Sequence, residues 1–450
     1  MKKNIVSLIL CLLAVWVMAS CMGKDDEEEY TYASDAALTS FYVSGAKQYL
    51  HTLSSQGEDS IYAVSVTGSD YKFYIDQLNG KIYNPDSLPY GTNAARIVVS
   101  ATTKNGGTAY LKNLTDDDSY VILTADSIDF SEPRMVRVLS QDGRSWRDYE
   151  VKVNVHQQDG DVFVWNSMGT VDDFQSLQAM RLVAADGRLC LFGFDGVSTK
   201  MYQASSDGSQ WTASDIELGT EAWKNVVASQ ETLFVLDGTA LKTYVYGEWT
   251  TLADEVPVTQ LIACGSRQLF GYNADGKLMA SENGTDWTEE TVDDAEAVLP
   301  MTDLTYTYMP VKTTSGMERI ILAGNSGDSY AQVWTRMADT TTPSTAYAWI
   351  FVDTAGDHRY AAPAYANLTL LPYDGFVLAT GLKDGALQPF LLSRDGGITW
   401  KTQASYPLPE GLATGLTAFG AATDGDSYIW IVDNAGEVWR GRLNRLGFLN

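Results

Sequence analysis

The chain has 450 residues, with 57 Asp and Glu against 31 Lys and Arg and a formal net charge of −26. A field of that sign repels phosphate, which excludes nucleic acid as a partner, disfavours anionic lipid headgroups and favours a neutral glycan over a polyanionic one. Four cysteines without metal-ligand spacing leave stability to core burial, and the length exceeds what one core supports, so at least two domains are expected.

In chain order, Lys2 and Lys3 precede an apolar run from Ile5 to Met18 and the tetrad Met18-Ala19-Ser20-Cys21. A positive start, an apolar run too short to span a bilayer and small residues before a cysteine make an export signal. The tetrad resembles the lipobox of bacterial lipoproteins, which implies a signal peptide over residues 1–20 and acylation of Cys21. Lys24, Asp25 and Asp26, in an acidic tether over residues 21–32, resemble the surface-export signal of Bacteroidetes lipoproteins. That resemblance implies an outer-membrane protein facing the extracellular side, touching the membrane through its lipid alone. As plain chemistry the same stretch is a solvated acidic spacer.

Residues 33–156 read as short alternating runs: 38–43, 60–67, 72–75, 95–101, 109–111, 120–125, 135–140 and 149–155. Their count and spacing predict an Ig-like β-sandwich. Met135–Leu139 and Tyr149–Val155 alternate apolar and polar around the turn Gln141-Asp142-Gly143-Arg144-Ser145, as a half-buried hairpin does. This ending resembles the last hairpin of Ig-like domains in Bacteroidetes surface lipoproteins, which implies a spacer.

From residue 161 to 450 the chain repeats. Three segments align: Ser205-Ser-Asp207-Gly208-Ser-Gln-Trp211, Ser281-Glu-Asn283-Gly284-Thr-Asp-Trp287 and Ser393-Arg-Asp395-Gly396-Gly397-Ile-Thr399-Trp400. In each, a carboxylate or amide oxygen can accept turn N–H groups, glycine permits positive φ and tryptophan packs between sheets. These segments resemble the Asp-box of BNR-like propellers, a structural and not a catalytic element. Outer-strand tryptophans recur at Trp165, Trp211, Trp249, Trp287, Trp349 and Trp400. Their spacing of about 40 to 60 residues suits four-stranded blades. The fold expected is therefore all-β: an N-terminal Ig-like sandwich, then a six-bladed propeller closed by the strand around Trp165. The whole pattern resembles an uncharacterised Bacteroidetes surface lipoprotein family with an Ig-like domain and an Asp-box propeller.

No catalytic residue is assigned. Sialidase-like chemistry needs an axial arginine cluster and an Arg-Ile-Pro motif, and the motif is missing from the sequence. His51 and His156 lie about a hundred residues apart in the first domain and His358 lies in the repeat, which argues against a histidine metal site or a Ser-His-Asp triad. The acidic runs Asp116-Asp117-Asp118 and Asp424-Gly-Asp426 lack the spacing of a calcium loop, so no metal or cofactor is expected. The first functional reading is binding of a glycan or a cell-surface protein through the propeller. Two-carboxylate glycoside hydrolysis from the propeller face is the alternative. Tyr306, Tyr308 and Trp349, beside a long insertion from Arg336 to Tyr347, are the candidate ligand-binding residues, because loops of irregular length on a rigid repeat carry function. Packing between blades is the competing reading of both tyrosines. Oligomeric state is not legible in the sequence.

Overall fold

The alternating runs become strands, and the computed structural model divides them into two units between Gln157 and Gln158. It describes residues 31–448 other than 54, 55, 57, 117, 230, 343–346 and 355–357. The expected signal peptide, Cys21, Lys24, Asp25 and Asp26 lie outside the described residues, as does Asp117. No helix among the described residues is long and apolar enough to cross a membrane.

The first unit is two sheets over one core. A three-stranded sheet places Leu38–Leu53 between Asp59–Val66 and Val98–Thr103. A six-stranded sheet runs Tyr74–Asp76, Lys81–Tyr83, Trp146–Lys152, Arg134–Leu139, Thr108–Lys112 and Tyr120–Ile122, antiparallel except where Lys81–Tyr83 meets Trp146–Lys152. Leu38, Phe41, Val43 and Val99 from one sheet pack on Ile82, Val136, Val138 and Val151 from the other. Tyr149 ties them: its hydroxyl accepts from Leu38 N at 3.1 Å and donates to Gln77 Oε1 at 2.7 Å. The expected hairpin forms, with Arg134–Leu139 burying every second residue, but its second strand is Trp146–Lys152 and not Tyr149–Val155.

Two further features of this unit differ from expectation. The first strand runs on to Leu53, because a bulge between Val43 and Gly45 breaks the alternation and lets the strand change partners, from Val98–Thr103 to Asp59–Val66. Lys81–Tyr83 was not anticipated, since three residues are too few to show a period.

The second unit contains six antiparallel sheets among the described residues. Their innermost strands are Ala179–Ala185, Val226–Ala228, Val258–Cys264, Thr302–Pro310, Ala366–Tyr373 and Phe419–Thr423. Each touches the next in chain order, and the sixth touches the first. This radial ring is a β-propeller. The sixth sheet takes its outermost strand, Phe163–Thr170, from the start of the unit, paired antiparallel with Glu437–Leu443.

Every neighbouring pair of sheets shares one apolar cluster. Trp430 and Val432 of the sixth sheet pack on Leu182 and Leu191 of the first, and Ile262 and Phe270 of the third pack on Ile320 and Trp334 of the fourth. Strands covered on both faces lose their alternation. Ile429–Asp433 is accordingly buried throughout. At about 1.5–3 kcal/mol for each fully buried Leu, Ile or Phe, these clusters hold the ring together. Cys190 and Cys264 belong to them as free thiols, and burial pushes Cys190 up to about 12.

In each of the three aligned turns the Asp or Asn side chain accepts from the serine two residues before it and from a turn N–H. Asp207 Oδ1 accepts from Ser205 Oγ at 2.6 Å and Ser209 N at 3.0 Å. Asn283 Oδ1 accepts from Ser281 Oγ at 3.2 Å and Thr285 N at 2.9 Å. Asp395 Oδ1 accepts from Ser393 Oγ and Thr399 N, both at 2.9 Å, while Thr399 Oγ1 donates to Oδ2 at 2.7 Å. The Nε1 groups of Trp287 and Trp400 close the motif on Gly284 O and Gly397 O, each at 3.0 Å. Gly208 has φ +74°, and a Cβ there would lie 2.0 Å from the Trp430 ring, so this turn admits no side chain.

The insertion expected from Arg336 starts later, because Gln332–Asp339 is a strand. Arg336 is 1 % exposed; its Nε donates to Glu290 Oε2 at 2.7 Å, its Nη1 donates to Gln268 Oε1 at 3.0 Å, and its guanidinium lies 5.2 Å from the Phe270 ring centre.

Two outcomes follow from these contacts. Glu290→Ala strands a buried guanidinium and lowers stability by about 3–5 kcal/mol in denaturant titration. Hydrogen bonds from Ser205 and Ser209 hold Asp207 down to about 2. Its contribution is present above the unfolded value of about 4 and is lost as pH falls through about 2. Asp207→Asn, which mimics the non-titrating Asn283, therefore reduces the stability difference between pH 4 and pH 2.

Candidate functional site

The innermost strand of each sheet has one edge facing the ring axis, and the backbone groups on that edge need partners. Side chains supply several. Arg181 donates from Nη1 to Val226 O at 3.1 Å and from Nη2 to Leu304 O, so one residue of the first sheet reaches the second and the fourth. The Tyr306 hydroxyl donates to Ala228 O at 3.0 Å and accepts from Ala228 N at 2.6 Å. Thr305 Oγ1 accepts from Leu370 N at 2.9 Å, and Asn225 Oδ1 accepts from Leu261 N at 3.1 Å. These bonds brace the axis from within.

Between them lies a cavity of about 1270 Å³, bordered by Arg181, Gln260, Asp303, Tyr308, Asn367 and Phe376 among others. Burial lowers the Arg181 pKa and the nearby Tyr306 partly opposes that shift. A guanidinium remains charged regardless. No carboxylate lies within ion-pair distance of Arg181 among the described residues. Burial also raises Tyr306 well above the usual phenol range, so it stays neutral. The Phe376 ring has Lys312 Nζ 5.6 Å and the Arg394 guanidinium 4.9 Å from its centre.

The carboxylates bordering the cavity are engaged in structural bonds. Asp303 accepts from Asn367 N at 2.7 Å and Asn325 Nδ2 at 2.9 Å. Glu318 accepts from Ser266 N at 2.9 Å, and Asp374 from the Tyr406 hydroxyl at 2.9 Å. Asp424 accepts from Tyr428 N at 2.8 Å and Trp430 Nε1 at 2.7 Å, so the Asp424–Asp426 run is a turn. Among the described residues no three His, Cys, Asp or Glu gather as a metal site. His358 hydrogen-bonds Thr354 Oγ1 at 2.6 Å and stacks on Tyr330 with ring centres 4.0 Å apart.

Of the three residues singled out for ligand binding, Tyr306 and Tyr308 border the cavity. Trp349 does not: it is fully buried, edge-on to Phe270 at 5.2 Å, and offers no face to a ligand. Its place beside the outer strand of a sheet covered by its neighbour explains the difference. Arg181 escaped the sequence reading. Its signal was available as one charge within the apolar strand Ala179–Ala185.

A two-layer β-unit followed by a β-propeller with an axial cavity defines the class of protein. Residues 159–450 match the model of the DUF6242 beta propeller domain, and residues 41–153 match the DUF6242 N-terminal domain, a domain of unknown function. The chain belongs to the DUF6242 family. No curated protein matches it. Among solved structures, it is similar to an auxiliary nutrient binding protein from Bacteroides thetaiotaomicron, at 10 % identity and TM-score 0.41, over 77 % of this chain and 94 % of that one. Trypanosoma rangeli sialidase is similar at 12 % identity and TM-score 0.36, over 60 % of this chain and 55 % of that one. The WD40 domain of Toxoplasma gondii coronin is similar at 10 % identity and TM-score 0.35, over 63 % of this chain and 87 % of that one. Similarity at this level carries no argument about activity.

Arg181→Met leaves the Val226 and Leu304 carbonyls without their donor. The expected loss is about 1–3 kcal/mol per stranded group, read as a lower urea midpoint with an unchanged slope.

Proposed function

We propose that this chain is a lipid-anchored binding protein of the outer membrane, displayed on the extracellular side, whose propeller takes a glycan or a cell-surface protein at its axial cavity. Cys21 carries the lipid, Lys24, Asp25 and Asp26 direct export, and the Ig-like unit spaces the propeller from the membrane. The sequence patterns at residues 2–29 support the anchor. The propeller is six-bladed, with Phe163–Thr170 completing the last blade and the three Ser-x-Asp/Asn-Gly turns serving as Asp-boxes. The ring of six inner strands and the shared clusters support that count.

The observation that carries the binding role is the cavity itself. At about 1270 Å³ it has room for an oligosaccharide or an inserted loop, and its lining sets Gln260, Tyr308 and Asn367 beside the Phe376 ring. Such a lining orients a polar ligand through donors and hydroxyls. Hydrolysis would require a pair of carboxylates available to act as acid and base. Asp303, Glu318 and Asp374 instead accept hydrogen bonds that hold the fold.

Calorimetric titration of the whole chain with host and plant oligosaccharides, with released sugar assayed in the same samples, tests the proposal. The expected result is binding without release, weakened about ten-fold, or about 1.4 kcal/mol, by Phe376→Ala at the cavity. Sugar release favours the hydrolase. Absence of binding across the panel removes the glycan and leaves a protein ligand, to be sought by crosslinking on the cell surface.

A further inference from the structure

The six-stranded sheet of the first unit buries Ile82, Val136, Val138 and Val151 on its inner face. The opposite face of a domain serving only as a spacer should be polar. Here it carries aromatic rings at both ends. Tyr74 and Tyr83 pair across adjacent strands with ring centres 6.0 Å apart. Tyr120 and Trp146 stand at the other end, and Trp146 and Tyr74 are each 61 % exposed.

Register places these residues on one face. Tyr83 sits opposite Lys152, which shares the face of Trp146 six steps back along the same strand, a separation of roughly 20 Å at about 3.3 Å per residue. Arg137 lies between the rings near Trp146, its guanidinium 4.4 Å from the Tyr120 ring centre and 5.5 Å from that of Trp146. Two hydrogen bonds fix it to Asp148, from Nε at 2.6 Å and Nη2 at 2.7 Å. The Arg137 charge is thereby balanced, and its guanidinium lies beside both rings.

We propose that this face is a glycan-binding strip for a neutral β-linked polysaccharide chain, a site separate from the propeller cavity and independent of whether that cavity binds. Pyranose rings with equatorial hydroxyls present flat C–H faces that pack on aromatic rings, while the hydroxyls at their rims find the charged side chains between. The strip matches that alternation. Arg137, Asp148, Glu150 and Lys81 run between the two groups of rings, while Leu139, Tyr110 and Ile122 extend the apolar surface beside Trp146 and Tyr120, so charged and apolar groups alternate along the face. Basic and acidic groups offset one another on this face, in a chain whose net charge is −26, which suits an uncharged ligand.

Native gels cast with soluble β-glucan or xylan, and in parallel with polygalacturonate, test the strip with the whole chain. The neutral polysaccharides should retard the parent. Trp146→Ala and Tyr74→Ala, at exposed positions, should each weaken retardation at least five-fold, and the pair at least ten-fold, with unchanged circular dichroism. Tyr246→Ala, an exposed aromatic of the propeller, should stay within two-fold of the parent. The proposal is overturned by retardation that Trp146→Ala leaves intact, by retardation in polygalacturonate alone, or by no retardation in either neutral gel. A dimer in sedimentation equilibrium that Trp146→Ala dissociates would assign the face to a second copy and also overturn it.

Discussion

The propeller rests on one pairing between its two ends. Phe163–Thr170 enters the sixth sheet beside Glu437–Leu443, eight residues from the start of the unit hydrogen-bonded to its last strand. Each sheet needs a neighbour on both faces, because its middle strands are apolar on both. A ring meets that need for every sheet at once. Opening it would bare the cluster shared by Trp430 and Leu182 on one side and weaken the cluster under Phe163 and Tyr373 on another. Closing so long a loop is opposed by chain entropy, but that penalty grows only with the logarithm of length, while the buried area is regained across whole sheet faces.

Closure also creates the space in which a ligand can sit. Six strand edges turned toward one axis leave backbone groups that neighbouring strands cannot satisfy. Arg181, Tyr306, Thr305 and Asn225 satisfy several of them and fix the width of the cavity while doing so. The bracing and the cavity are thus linked: the guanidinium that braces the second and fourth sheets also borders the space between them. The first unit works differently. Its core clamps two sheets through Tyr149, and its chemistry lies on the face turned away from that core.

Much of this architecture was legible in the sequence because it is written in local patterns. Tryptophans recurring beside Ser-x-Asp/Asn-Gly turns mark outer strands, and the carboxylate geometry at Asp207 and Asp395 follows from residues two to four positions apart. The strand around Trp165 was readable because it carries the first of the recurring outer-strand tryptophans. What stayed hidden depends on contacts between distant segments. Arg181 becomes an axial brace only once Val226 and Leu304 are beside it. Tyr74, Tyr83, Tyr120 and Trp146 share a face only through the register of six strands. Trp349 misled for the same reason, since its burial comes from Phe270 of the preceding sheet.

The most direct measurement of the central claim is native-state hydrogen exchange at the closing pair. If the ring is held by this contact, the paired amides of Phe163–Thr170 and of Glu437–Leu443 exchange together, through the opening that unfolds the propeller, and share its denaturant dependence. Fast exchange along Phe163–Thr170, while Ile429–Asp433 and the inner strands stay protected, would show a ring that stands without its closing strand and would contradict the account.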